Sequence, residues 1–269
     1  MADYHPLNVA LSLSVVRGEK WYPSGTGVVL AHNLAVTAKH VIQDYLNRFG
    51  HRTSGAGVQY LDADVLAFHC SGPNSGTFLQ VPKIWPSPFT DIAFLQLNTR
   101  FNRRLVLDLN LPSEGDEVSA FGFHQSTSTI LSSTREPLPE DIRKQMNISA
   151  ESANLVTCQV DEKWDLLKGS VLDVYKDRRN TTEMGNFPSF YVSTKFEHGM
   201  SGGPVFNPKG ELCGVMSSGM DLENPADEIS LVAALSAGMQ TVIDLDYDGS
   251  VGKVYPAIQL VENGFLSVG

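Results

Sequence analysis

The chain has 269 residues, of which 42% are hydrophobic and 19% charged, with 20 Lys plus Arg against 30 Asp plus Glu. That much apolar material fills one or two sizeable cores. A formal net charge of −10 repels phosphate backbones and anionic lipid surfaces, so neither a nucleic acid nor a membrane is expected as partner.

The N-terminal run LNVALSLSVV follows Asp3 rather than a basic segment and is broken by polar residues, so it reads as a strand and not as a secretory leader. No apolar run reaches the length of a membrane span, and a soluble, cytoplasmic chain is the expectation. Three cysteines, Cys70, Cys158 and Cys213, have no C-x-x-C spacing; neither a disulfide framework nor a metal site is expected from them.

Short runs rich in Val, Ile, Phe and Tyr then recur between Gly, Asn and Pro: GTGVVLA, NLAVTA, GVQYL, DVLAFHC, TDIAFLQL, DEVSAFGF, GSVLDVY, SFYVSTKF, GGPVF, ELCGVMSS and ISLVAALS. Strand signals this dense predict an all-β chain, built as an antiparallel barrel or sandwich. Three stretches read as helix: HVIQDYLNRF after residue 39, PEDIRKQMN from Pro139, and MQTVIDLDY from Met239. The Ser/Thr-rich stretch from Gln125 to about Asn154 reads as a surface insertion. FNRRLVLDLNLPSEGD, near residues 101–116, reads as a crossing between two halves. The tail predicts a short helix in YPAIQLVENG, capped by Gly264, and a last strand in FLSV.

Chemistry concentrates in EHGMSGGPVF, residues 197–206, where Gly199, Gly202, Gly203 and Pro204 surround Ser201. Such a loop either turns a chain between strands or lets backbone N–H groups converge on one spot beside a hydroxyl. A serine nucleophile needs a base, usually histidine, held by a carboxylate. His40 stands where the strand NLAVTA meets a helix, and Asp91 opens the strand TDIAFLQL; alone, each also reads as a helix-capping or turn residue. The pattern G-x-S-x-G suits an α/β-hydrolase elbow too, but there the histidine follows the serine, and the last histidine here is His198. The order His40, Asp91, Ser201 is instead that of the chymotrypsin-type double barrel.

Over about residues 14 to 245 the sequence resembles the trypsin-like serine peptidases, especially the bacterial branch that includes the HtrA-type enzymes. GTGVVLAHNLAVTAKHVI is similar to the family's strand, hairpin and strand before T-A-x-H; TDIAFLQL to its D-I-A-x-L segment; GMSGGPVFNPKGELCGVMSSG to its G-x-S-G-G-P block. The resemblance implies two antiparallel six-stranded β-barrels with the active site in the cleft between them: an N-terminal barrel over 1–108, a C-terminal barrel over 109–248, and an extension over 249–269. It implies a serine endopeptidase acting on protein or peptide substrates, without cofactor or metal. Ser201 is then the nucleophile, His40 the general base, Asp91 its orienting acid, and the N–H groups of Gly199 and Ser201 the oxyanion hole. Ser217 matches the serine that bonds the triad aspartate, and Ser217, Ser218 and Gly219 the segment that pairs with an extended substrate.

Met200 stands where zymogen-activated relatives carry an aspartate, so activation by N-terminal trimming is not expected. Lys195 occupies the usual specificity position, with His198 near the pocket mouth; either side chain lines that pocket or faces solvent, and no acid favours cleavage after Lys or Arg. HtrA-type enzymes commonly add a PDZ module, for which the tail is too short. A regulatory protein partner is a further expectation. Two other readings stay open: a catalytically silent binding module on the same fold, and an α/β-hydrolase esterase.

Overall fold

The computed structural model describes residues 6–17, 20–49, 51–53, 59–61, 64–72, 75–134, 155–176, 187–220, 229–246 and 253–269. Its first sheet takes in β1 (Ala10–Arg17), β2 (Lys20–Thr37), β3 (His51–Thr53), β4 (Gln59–Leu61), β5 (Asp64–Gly72), β6 (Ser75–Gln80), β7 (Lys83–Pro86) and β8 (Ala93–Arg104), in the order β3-β4-β7-β8-β2-β1-β5-β6. β2 doubles back on itself as the expected hairpin. The Thr37 hydroxyl donates to the Thr26 carbonyl at 2.6 Å, and His32, between the two arms, takes a φ of 46°. The first arm pairs with β1 and the second with β8. The sheet curls, and its β6 end meets β8 through a side chain: the Gln80 amide donates to Asn98 Oδ1 at 3.0 Å.

The second sheet takes in β9 (Val106–Leu107), β10 (Glu117–Thr134), β11 (Leu155–Tyr175), β12 (Ser189–Val192), β13 (Pro204–Phe206), β14 (Leu212–Met220) and β15 (Ile229–Ala234). Pairing of β13 with both β10 and β14 closes six of these strands into a barrel. The chain is thus the expected all-β double barrel. A small ribbon, β16 (Val242–Ile243) with β17 (Tyr255–Pro256), and a last strand, β18 (Ser267–Val268) on β9, follow.

Burial explains why the runs LAVTA and IAFLQL lack alternation. On the second arm of β2, Leu34 and Val36 enter the core between the two sheets while Ala35 faces the core of the first; on β8, Phe94 enters the former and Ala93, Leu95 and Leu97 the latter. Strands buried on both faces read as continuous apolar runs. The helix α1 (Lys39–Phe49) forms where expected and buries Val41, Ile42 and Leu46.

One expectation needs correction. MQTVIDLDY is not a helix. The short helix α2 (Leu235–Gly238) ends before it, and the following residues alternate, with Thr241, Ile243 and Leu245 buried and Val242 exposed, as β16 requires. Residues 125–134, the start of the stretch read as a surface insertion, continue β10 and pair with β11 from Thr127↔Asp161 to Thr134↔Leu155; the remainder up to Asn154 lies outside the described residues. The helix expected from Pro139 lies outside the described residues. In the tail, α3 (Gln259–Glu262) is followed by Gly264 at φ 71° and then β18, as expected. Lys83 and Trp85 donate to Asp244 at 3.0 and 2.8 Å, and Arg104 to the Gly264 carbonyl at 2.8 Å, tying this region to the first sheet.

Candidate active site

His40 is set by the start of α1, directly after β2. Asp91, just before β8, meets it twice: the His40 amide donates to Oδ1 at 2.9 Å and the imidazole Nδ1 lies 2.8 Å from Oδ2. One carboxylate therefore satisfies a first-turn helix amide and fixes the ring. A carboxylate accepts, so in a neutral imidazole this geometry assigns the Nδ1–H tautomer, with the lone pair on Nε2. The Lys39 amide also donates to the Asp91 carbonyl at 3.1 Å. The imidazole is 45% exposed while the carboxylate is 12% exposed, so the ring reaches solvent and its partner does not.

Ser217 comes from the other barrel. The register of β14 on β15 shifts between Met216↔Val232 and Ser218↔Leu231, making Ser217 the extra residue of a bulge. A bulge re-aims a side chain; here the Ser217 hydroxyl donates to Asp91 Oδ2 at 2.6 Å. The Ser217 carbonyl in turn accepts from the Ser201 hydroxyl at 3.2 Å. Ser201, Ser217, Asp91 and His40 thus form one connected hydrogen-bonded chain across the two sheets. β13 pairs with β14 only as far as Pro204↔Val215, so it does not cover the edge of residues 217–219.

The loop around Ser201 is built from glycines. Gly199 sits at φ 96° and Gly202 at φ 84°. A Cβ at Gly202 would lie 2.1 Å from Thr37 Oγ1 and 2.2 Å from the Thr26 carbonyl, so only glycine lets the loop seat on β2. The Gly202 amide donates to the Met216 carbonyl at 2.7 Å, and the Gly203 and Met200 amides to the carbonyls of Met200 and Glu197 at 2.9 and 3.1 Å. Among the described residues, no backbone carbonyl takes the amides of Gly199 and Ser201. Met200 is fully buried, packed with the apolar core of the second barrel.

A cavity of about 370 Å³ adjoins the imidazole, walled by His40, Phe89, Phe187, Ser218 and Leu231 among others. Neither Lys195 nor His198 lines it. Lys195 is half-buried and His198 exposed. Gly219 packs on the Phe196 backbone: a Cβ there would lie 2.7 Å from the Phe196 carbonyl. Phe89, Phe187 and Thr26 were not singled out from the sequence.

Cys213 and Cys70 are no alternative nucleophiles. Burial pushes the Cys213 thiol up to about 12, and burial with the nearby Glu162 pushes Cys70 up to about 11, so both stay protonated at neutral pH.

A family model for the trypsin-like peptidase domain matches residues 25–215. The chain belongs to the trypsin-like peptidase family. The HtrA-type protease AlgW with a decapeptide superposes with a TM-score of 0.50 at 14% identity, covering 85% of this chain and 61% of that one. The inactive form of Rv3671c from M. tuberculosis H37Rv gives 0.48 at 13% identity, covering 86% and 83%. The MamO protease domain from Magnetospirillum magneticum gives 0.48 at 13% identity, covering 86% and 94%. No curated protein matches the chain. At these identities the likeness to solved structures is one of fold, and the family makes this trypsin-like peptidase a protease-type hydrolase.

Proposed function

We propose that this trypsin-like peptidase is a serine endopeptidase working through Ser201, His40 and Asp91. The observation that carries the reading is the double hydrogen bond from His40 to Asp91, which leaves imidazole Nε2 as a proton acceptor. An extended peptide adds as a strand along Ser217 to Gly219, and an apolar side chain lodges between Phe89, Phe187 and Leu231. The Ser201 hydroxyl turns from the Ser217 carbonyl to Nε2, gives up its proton, and its oxygen bonds to the scissile carbon. The amides of Gly199 and Ser201 receive the negative charge that forms on the carbonyl oxygen. The C–N bond then breaks as His40 hands the proton to the leaving amine. Water, deprotonated by the same imidazole, cleaves the acyl-enzyme and frees Ser201.

Met200 bears on regulation. It fills an apolar site with no place for a carboxylate, so activation does not run through an ion pair with a freed N-terminus.

The test is a fluorophosphonate probe, which adds to an activated serine. Labelling of the wild type, lost in Ser201→Ala and in His40→Ala, is expected. A folded wild type that takes no label would favour the silent binding module instead.

A further inference from the structure

Thr26 is fully buried on the first arm of β2 and makes hydrogen bonds to three other segments. Its hydroxyl donates to the Gly199 carbonyl at 3.0 Å and accepts from the Phe123 amide of β10 at 2.9 Å. Its amide donates to the Ser201 carbonyl at 2.8 Å, and its carbonyl accepts from Thr37 at 2.6 Å. A hydroxyl has one proton to give and lone pairs to receive, so the side chain's donor and an acceptor site are both in use.

The two loop carbonyls that Thr26 holds belong to the peptides on either side of the one bearing the Ser201 amide. The 199–200 peptide is fixed by the Thr26 hydroxyl at its oxygen and by the Glu197 carbonyl at its nitrogen; the 201–202 peptide by the Thr26 amide and the Met216 carbonyl. With both neighbours pinned, the Ser201 amide cannot rotate independently. The 199–200 oxygen is also carried by Gly199, whose left-handed φ makes this the segment with the least intrinsic preference for one conformation. Gly25 permits the approach, since a Cβ there would lie 2.8 Å from the Ser201 carbonyl.

We infer that Thr26 is a positioning residue that holds the Ser201 amide in register for the oxyanion, acting from the first barrel on the Ser201 loop of the second. The inference rests on the serine-peptidase reading above. Preorganised donors act only when they are already aimed at the place where charge develops. A threonine whose hydroxyl is replaced by a methyl group keeps its shape and its backbone bond to Ser201 but releases the Gly199 carbonyl.

The experiment compares wild type, Thr26→Val and Thr26→Ser with a fluorophosphonate and with p-nitrophenyl acetate, per folded molecule and below each variant's melting temperature. Thr26→Val should lower the maximal inactivation rate and kcat by about tenfold to a hundredfold, with KI and KM within about threefold. Thr26→Ser, which keeps the hydroxyl, should restore both rates. A role in packing alone would lower the melting temperature without this split, or would leave Thr26→Ser as impaired as the valine variant through loss of the methyl group; either result overturns the inference. If Thr26→Val does not fold, Thr26→Ala takes its place, and failure of both to fold shows a folding residue and overturns the inference. A wild type inert to both reagents overturns the peptidase reading and this one with it; an active wild type with an equally active Thr26→Val overturns only this one.

Discussion

Replacing Asp91 by asparagine changes one acceptor oxygen into a donor at nearly constant volume, and the structure decides which way the amide turns. Oδ1 accepts from the His40 amide at 2.9 Å, while Oδ2 faces His40 Nδ1 at 2.8 Å and the Ser217 hydroxyl at 2.6 Å. With the NH2 group toward the His40 amide, donor faces donor and a first-turn helix N–H is stranded, at about 1–3 kcal/mol. With the oxygen kept there, the NH2 group donates to Nδ1 and Ser217, and every group is satisfied once the imidazole proton moves to Nε2. The second arrangement wins, and it removes the base. A loss of about 10⁴ in turnover is expected from the wrong tautomer, equivalent to about 5.4 kcal/mol of barrier. Asn caps helices about as well as Asp, so thermal unfolding should move little. The assay pairs kcat on p-nitrophenyl acetate with ¹⁵N NMR of the His40 ring. A folded variant within tenfold of wild-type turnover, or one that keeps the proton on Nδ1, would refute the reasoning.

Other outcomes follow from the same contacts. Gly202→Ala puts a Cβ about where Thr37 Oγ1 and the Thr26 carbonyl lie, in a left-handed backbone; it should cost roughly 2–4 kcal/mol in urea unfolding and displace Ser201 enough to abolish labelling. Met200→Asp buries a carboxylate in the apolar core of the second barrel and should cost roughly 3 kcal/mol or more, read as a lowered melting temperature, with no gain of trimming-dependent activity. Glu162, half-buried on β11 beside Ser12 and Cys70, is pushed up to about 7 by burial. The folded state then holds more protons than the unfolded one between about pH 4.5 and 7, so this group's contribution to stability falls as pH rises through that window and is flat above it. Glu162→Gln should remove that fall and make the protein more stable than wild type at pH 8, by up to about 3 kcal/mol in urea unfolding; a less stable variant at pH 8 would contradict it.

Local chemistry made much of the fold readable in the sequence. The runs GTGVVLA and NLAVTA fold as the expected hairpin because glycine and β-branched residues leave few alternatives, and α1 forms because apolar positions recur at helical spacing. MQTVIDLDY misleads because a short segment can satisfy a helical period while its burial alternates; packing of Ile243 and Leu245 against the tail decides between them. His40, Asp91, Ser201, Gly199 and Ser217 were singled out from order and motif, and the structure joins the side chains of His40, Asp91 and Ser217 by hydrogen bonds, with the Ser201 hydroxyl on the Ser217 carbonyl. Thr26 was not, because its partners Phe123 and Gly199 lie 97 and 173 residues away, and nothing local records such contacts. Lys195 and His198 rested on position alone.

The most direct test of the account is a pre-steady-state burst with p-nitrophenyl acetate, quenched with acid and followed by peptide mass mapping. One equivalent of nitrophenolate per folded molecule, with an acetyl group on the peptide bearing Ser201 and no burst in His40→Ala, is the result expected from a working relay. Release without a burst in the wild type, or acetylation at any other residue, would contradict it.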